Sequence, residues 1–284
     1  MTTIHTLVVS ARERLRLAGI PPDEADIDAR LLAEHVLGWT TEQFFVDGSA
    51  PPLAGFDKRY ESLVARRATR EPFAYIVGAQ EFWGLRFEVT PAVLIPRPET
   101  ELIVEAVLEL LNNAVAVRIA DVGTGSGCLA VPIARERPQS SIVATDTSEE
   151  ALAVAGRNAD RHGVAGRIQF TRADLLDGIP GPFDLVVSNP PYVREIDRAD
   201  IQPEVRWEPP DALFAGHEGL DVIRRLLPRA TSRLTPGGTL MFEIGFGQAD
   251  AVAGLISAAP GLTMCELRSD LQGIPRVAIA RRTM

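Results

Sequence analysis

Two stretches of the sequence have residue types and spacing suited to chemistry. The first is Asp121-Val122-Gly123-Thr124-Gly125-Ser126-Gly127, which closes a short apolar run at 117–121. A glycine-rich turn lets a ligand approach the backbone closely, and positive φ costs glycine little. The dinucleotide-binding fingerprint wants glycine at the first, third and sixth positions of such a turn. Here glycine stands first, third and fifth, and the sixth position is Cys128. That spacing disfavours a pyrophosphate and points to a nucleoside ligand without phosphates. Asp146 ends the next apolar run, where a carboxylate accepts hydrogen bonds from both ribose hydroxyls. Asp174-Leu175 follows the run after that, where an adenine edge would lie. Taken singly, these are a tight connection and a helix cap; their joint occurrence favours a ligand site.

S-adenosylmethionine is a nucleoside of this kind, and the spacing resembles the glycine loop of methyltransferases that use it. The second stretch, Asn189-Pro190-Pro191-Tyr192, suits an acceptor of the methyl group. Asn-Pro alone is a turn former. Here it caps the apolar run 183–188, and the position gives it a chemical reading. An amide nitrogen, or the exocyclic amine of a base, is a poor nucleophile because its lone pair is delocalised. Two acceptors aimed at its N–H bonds favour an sp³-like nitrogen: the side-chain oxygen of Asn189 and the carbonyl of Pro190. Hydrogen bonds that tighten as positive charge develops stabilise the transition state. Consecutive prolines stiffen the loop and pre-set the carbonyl. Tyr192 is expected to pack on the planar target group. No strong general base is needed, since the methylated nitrogen is acidic enough to lose its proton to water.

The elements that must position these residues follow from periodicity. Short apolar runs at 117–121, 141–146, 167–171, 183–188 and 239–244 alternate with helical patterns, and 277–280 reads as a last, edge strand. Alternating β and α units predict an α/β, doubly wound, Rossmann-like and mostly parallel sheet, with the ligand residues at the carboxyl ends of its strands. Before it, residues 1–75 read as a small bundle of three helices. The second is expected to start at Asp23 as N-cap, to carry Ile27, Leu31, Leu32 and Val36 on one side, and to end at Gly38. Residues 76–95 read as a linker built on a β-hairpin around Gly84, and 96–284 as the catalytic domain. Pro98 suits the first turn of a helix whose positive end Glu99 and Glu101 complement. The segment after Ala249 carries no clear motif.

Of 284 residues, 46% are hydrophobic, enough for a real core, and no apolar run reaches the ~20 residues of a membrane span. There is no signal-peptide pattern at the start, so a cytoplasmic protein is expected. Two cysteines and four scattered histidines give neither a disulfide framework nor a metal site. A formal charge of −9 argues against tight nucleic-acid binding, which relies on many basic contacts to phosphates.

Further segments carry a more specific likeness: Glu71-Pro72 with Tyr75 and Gly78, Glu81-Phe82, and Val93-Leu94-Ile95-Pro96-Arg97-Pro98-Glu99-Thr100-Glu101. Glu208-Pro209, Ala212-Leu213, Gly216 and Gly219-Leu220 add to it. Together with the glycine and Asn-Pro-Pro-Tyr loops, and over nearly the whole chain, the sequence resembles the release factor glutamine methyltransferases. The resemblance implies a class I methyltransferase domain behind a helical N-terminal domain and a hairpin. It implies methylation of the amide nitrogen of the glutamine in the Gly-Gly-Gln loop of peptide-chain release factors, with S-adenosylmethionine as cofactor and S-adenosylhomocysteine as product. Asn189, Pro190, Pro191 and Tyr192 would hold the glutamine. Asp121, Gly123, Thr124, Gly125, Ser126, Gly127, Asp146, Asp174 and Leu175 would hold the cofactor, with Asn189 beside it. Arg97 would lie at the substrate, or simply cap the following helix; Glu208-Pro209 would shape the channel. A monomer that docks a whole protein through its first domain, with no membrane or nucleic-acid partner, is expected.

The rivals are a glutamine methyltransferase of a ribosomal protein, which would share nearly every motif, and an RNA or DNA amine methyltransferase. The latter flips a base into its pocket and often carries a basic recognition domain, for which no insertion after Tyr192 is long enough. A dinucleotide-dependent oxidoreductase is disfavoured by Cys128.

Overall fold

The computed structural model describes residues 2–111 and 116–284. The chain divides into two compact units: residues 1–78 with Gln202–Trp207, and Ala79–Ile201 with Glu208–Met284.

Among the described residues the first unit holds five α-helices, not three: α1 (Ile4–Leu17), α2 (Pro22–Leu37), α3 (Thr41–Asp47), α4 (Phe56–Ala68) and α5 (Phe73–Val77). The two short ones have too few turns to show a periodic apolar stripe. α3 is instead specified by a capping box, in which Thr40 and Gln43 exchange hydrogen bonds. α2 starts two residues earlier than expected, with Pro21 as N-cap and Pro22 in its first turn; Asp23 and Glu24 complement its positive end rather than cap it. Gly38, at φ +67°, ends it as expected. Ile27 is exposed, and its neighbour Asp28 is buried instead. The reason is a buried guanidinium: Arg67 Nε lies 2.6 Å from Asp28 Oδ2, and its Nη1 lies 2.8 Å from Glu204. Arg70 holds the same Glu204 carboxylate through two nitrogens, at 2.6 and 2.7 Å.

The second unit opens with the hairpin β1 (Ala79–Phe82) and β2 (Leu85–Glu88). It continues through α6 (Glu101–Leu110), β3 (Arg118–Val122), α7 (Ala130–Glu136), β4 (Ser141–Asp146), α8 (Glu149–Arg161), β5 (Ile168–Arg172) and β6 (Phe183–Ser188). It closes with α9 (Asp221–Arg233), β7 (Leu234–Glu243), α10 (Ala249–Ala258), β8 (Leu262–Ser269) and β9 (Pro275–Arg282). The seven-stranded sheet has the order β5-β4-β3-β6-β7-β9-β8, with β9 antiparallel to both neighbours and the rest parallel. This is the doubly wound α/β sheet expected from the alternation. One expectation fails. The 277–280 strand is not an edge; β9 is interior, and β8 covers it. β8 exposes half of its side chains, and a bulge between Met264 and Glu266 breaks its period-two pattern.

Alternate residues of each strand feed two cores. Ile119, Leu185, Val187 and Met241 pack under α6, α7 and α8 with Phe82 and Phe87 of the hairpin. Ala120, Val122, Val186, Leu240 and Phe242 pack under α9 and α10. Strand order reverses at β3, flanked by β4 and β6, and the carboxyl ends there form the crevice where open α/β sheets bind ligands.

Candidate active site

The glycine loop leaves the carboxyl end of β3. Gly123 and Gly125 have φ of +72° and +54°, and a Cβ on either would meet nothing within 4 Å, so this side of the loop is open. Gly127 faces inward: a Cβ there would lie 3.3 Å from Ala155 of α8. Asn158 of α8 ties the loop to the hairpin, donating from Nδ2 to the carbonyls of Ser126 (2.9 Å) and Glu88 (3.0 Å).

Asp121 is fully buried. Its Oδ2 accepts from Thr124 Oγ1 at 2.6 Å and from the Ala130 N–H at 3.2 Å. Its Oδ1 is buried and has no hydrogen-bond partner among the described residues. Burial pushes this carboxyl up to about 7, and the Asp146 charge adds to the effect, against the Thr124 and Ala130 hydrogen bonds. A buried acceptor left without a donor is costly unless a ligand supplies one. The amino-acid end of S-adenosylmethionine carries an ammonium, so the residues present fit that cofactor.

Asp146 accepts from Gly125 N at 3.0 Å on Oδ2 and from Ser148 N at 2.9 Å on Oδ1. It therefore shapes the glycine loop and the start of α8, while each oxygen keeps acceptor capacity. Leu175 has φ of +55°, a strained conformation for a branched residue. The Thr145 hydroxyl holds it there, donating to the Leu175 carbonyl at 2.8 Å. Asp174 is half-exposed and ion-paired with Arg225 of α9.

The Asn-Pro-Pro-Tyr loop leaves the carboxyl end of β6, beside the glycine loop. Ser188 Oγ donates to the Val122 carbonyl at 2.7 Å, which joins the two strand ends. Asn189 Nδ2 donates to Thr100 Oγ1 at 3.0 Å. Thr100 Oγ1 donates in turn to Glu243 Oε2 at 2.6 Å, and the Tyr192 hydroxyl donates to Glu243 Oε1 at 2.9 Å. Thr100 and Glu243 are both buried. Burial pushes the Glu243 carboxyl up, and its two hydroxyl donors oppose this. Burial and the Glu243 charge push the Tyr192 phenol up as well, so it stays a donor. Behind the loop, Gln248 Nε2 donates to the carbonyls of Tyr192 (3.1 Å) and Gly219 (3.2 Å), while its Oε1 accepts from Gly245 N at 2.8 Å.

Arg97 does not stand free. It pairs with buried Glu208, whose other oxygen accepts from Ile95 N at 3.0 Å. The Glu-Pro segment thereby holds the Ile-Pro-Arg-Pro segment, which carries Thr100. The sequence reading brought together Asn189, Tyr192 and the glycine loop but missed Glu243 and the role of Thr100. The available signal was an acid at the end of an otherwise apolar strand.

The sheet, with its glycine loop and its Asn-Pro-Pro-Tyr loop at adjacent strand ends, defines a class I methyltransferase. Residues 100–208 match the model of the methyltransferase small domain, and residues 6–78 that of the PrmC N-terminal domain. A Thermus thermophilus 16S rRNA N2 G1207 methyltransferase, solved with AdoMet and guanosine, shares the fold at TM-score 0.53 and 19% identity, over 72% of this chain and 49% of that one. The release factor glutamine methyltransferase of Geobacter sulfurreducens is 48% identical over 98% of this chain and 96% of its own. That of Koribacter versatilis is 42% identical over 99% of both. The chain belongs to the release factor glutamine methyltransferase family.

Proposed function

We propose that this enzyme transfers the methyl group of S-adenosylmethionine to the side-chain amide nitrogen of the glutamine in the Gly-Gly-Gln loop of peptide-chain release factors. It does so as a monomer in the cytoplasm. The observation that carries the reading is the anchoring of Asn189. With Nδ2 committed to Thr100, the side chain offers Oδ1 as an acceptor. An amide NH2 is a double donor and needs such acceptors.

The cofactor supplies an electrophilic methyl on a sulfonium. Asp121 Oδ1 would hold the ammonium, Gly123–Gly127 would line its amino-acid end, Asp146 would accept from the ribose, and Asp174 with the Leu175 backbone would meet the adenine. Asn189 Oδ1 and the Pro190 carbonyl accept the two N–H bonds of the glutamine, which turns its lone pair toward the methyl. Bound there, S-adenosylmethionine would give its methyl to that nitrogen as its S–C bond breaks, would leave as S-adenosylhomocysteine, and the nitrogen would lose one proton to water. Pro191 stiffens the loop, and Tyr192 packs beside the planar amide. Arg97, held by Glu208, borders the entrance. The N-terminal unit docks the rest of the release factor.

The test is transfer of labelled methyl to purified release factor, with a Gln→Ala change in its Gly-Gly-Gln loop as control. Label on the wild-type factor alone supports the reading. Label on neither, with methylation of a ribosomal protein or RNA instead, rejects it. Full turnover by Asn189→Ala would reject the mechanism.

A further inference from the structure

Glu243 lies behind Asn189, with Thr100 between them, and the two are linked by hydrogen bonds whose direction is determined. A carboxylate has acceptors only. Both hydroxyls that reach Glu243, those of Thr100 and Tyr192, must therefore spend their protons on it. Thr100 Oγ1 then has only lone pairs to show Asn189, and it receives Nδ2 at 3.0 Å. The opposite amide orientation would set Asn189 Oδ1 against an oxygen with no proton to give. It would also turn an NH2 donor toward a substrate NH2 donor. A buried ionised glutamate is expensive to keep, and a neutral side chain at this position could donate to Thr100 and reverse the chain.

We propose that Glu243 is a positioning residue for the methyl transfer: through Thr100 it fixes which end of the Asn189 amide faces the substrate nitrogen. The substrate in this inference rests on the function proposed above. Hydrogen bonds in series also polarise one another. A chain that ends on a buried negative charge enriches Asn189 Oδ1 in electron density as the glutamine nitrogen becomes positive. Burial pushes the Glu243 carboxyl up, and Glu99 before α6, Arg276 on β9, Tyr192 after β6 and Cys128 after β3 are the other titratable or charged groups that act on it. Protonation of Glu243 releases the polarity of the chain, so turnover falls as this carboxylate takes up its proton.

The experiment measures kcat, with cofactor and release factor both saturating, for wild type, Glu243→Gln, Thr100→Val and Thr100→Ser. Binding of S-adenosylmethionine is measured by calorimetry alongside. Glu243→Gln and Thr100→Val are each expected to lower kcat roughly 10- to 100-fold, the scale on which one preorganised polar contact acts. Cofactor affinity is expected to stay within about threefold of wild type in both, a difference below ~1 kcal/mol. Thr100→Ser, which keeps the hydroxyl, recovers most of the rate. The acid limb of the kcat profile is expected in wild type and absent in Glu243→Gln. Wild-type kcat in Glu243→Gln or Thr100→Val overturns the inference. So does a loss of cofactor binding that parallels the loss of kcat, which would mark a structural role. A wild-type enzyme that leaves release factor unlabelled but methylates another substrate overturns the proposed function instead, and the substrate named here with it.

Discussion

The carboxylate of Glu208, buried to 3% exposure, is ion-paired with Arg97, 111 residues earlier in the chain. Its second oxygen takes the Ile95 N–H, so one side chain staples the loop that delivers Thr100 to Asn189. Glu208→Ala leaves the Ile95 N–H without its acceptor and Arg97 without its counter-charge. It is expected to destabilise the chain by about 2–3 kcal/mol, the cost of orphaning buried polar groups. Urea denaturation checks this, and kcat should fall with release factor as substrate.

Gly219 is expected to resist any side chain. Its φ is +71°, and a Cβ would lie 2.2 Å from the Tyr192 carbonyl, which is backbone and cannot swing away. Gly219→Ala should therefore push Tyr192 off Glu243, costing about 2–4 kcal/mol in stability from strain and overpacking. Thermal melts compared with methyl-transfer rates would show both losses together, whereas Gly247→Ala, with nothing near its Cβ, should report only the backbone cost.

Asp121, proposed above to take the ammonium of the cofactor, is expected to make cofactor binding depend on pH. Its folded-state pKa is raised to about 7 by burial, so the folded protein holds this proton where the unfolded chain has lost it. Its contribution to stability is present below the unfolded value and lost as pH rises through about 7. Cofactor binding runs the other way, because the ammonium needs the ionised carboxylate. The rise in melting temperature produced by S-adenosylmethionine is expected to grow between about pH 6 and 8. Asp121→Asn should flatten that trend and weaken binding by about 1.5–3 kcal/mol, the range for a hydrogen bond to a charged group.

Glu204 makes the N-terminal unit acid-sensitive. Burial alone would raise its pKa, but Arg70 and Arg67 outweigh that and hold the carboxylate down at about 2. A depressed carboxylate contributes stability above its unfolded value, and that contribution is lost as pH falls from about 4.5 toward 2. Glu204→Gln removes this dependence and leaves Arg67, at 3% exposure, short of a partner. A loss of about 2 kcal/mol near neutral pH is expected, softened by the Asp28 pair that remains. Chemical denaturation of the full chain at pH 7 and pH 3 measures both effects.

Much of this protein was legible in one dimension. The strand runs, the glycine loop, Asp146 and Asn189–Tyr192 rest on local patterns, and the structure places these residues at strand ends because strand ends and tight turns are specified by neighbouring residues. What escaped was of another kind. The alternation of β8 is cut short, because a bulge between Met264 and Glu266 shifts its register on the sheet edge. Asp28 took a buried place and Ile27 did not, because Arg67, distant in sequence, was there to pair with Asp28. Glu243 reads as an ordinary acid until β7 is laid beside β6. Only the register that sets Phe242 against Ser188 carries the next residue, Glu243, to the level of Asn189. The sequence by itself determined which groups leave the strand ends. The tertiary structure decided which of them meet, because pairing across parallel strands is fixed by register and packing, and neither is encoded in the spacing of residues along the chain.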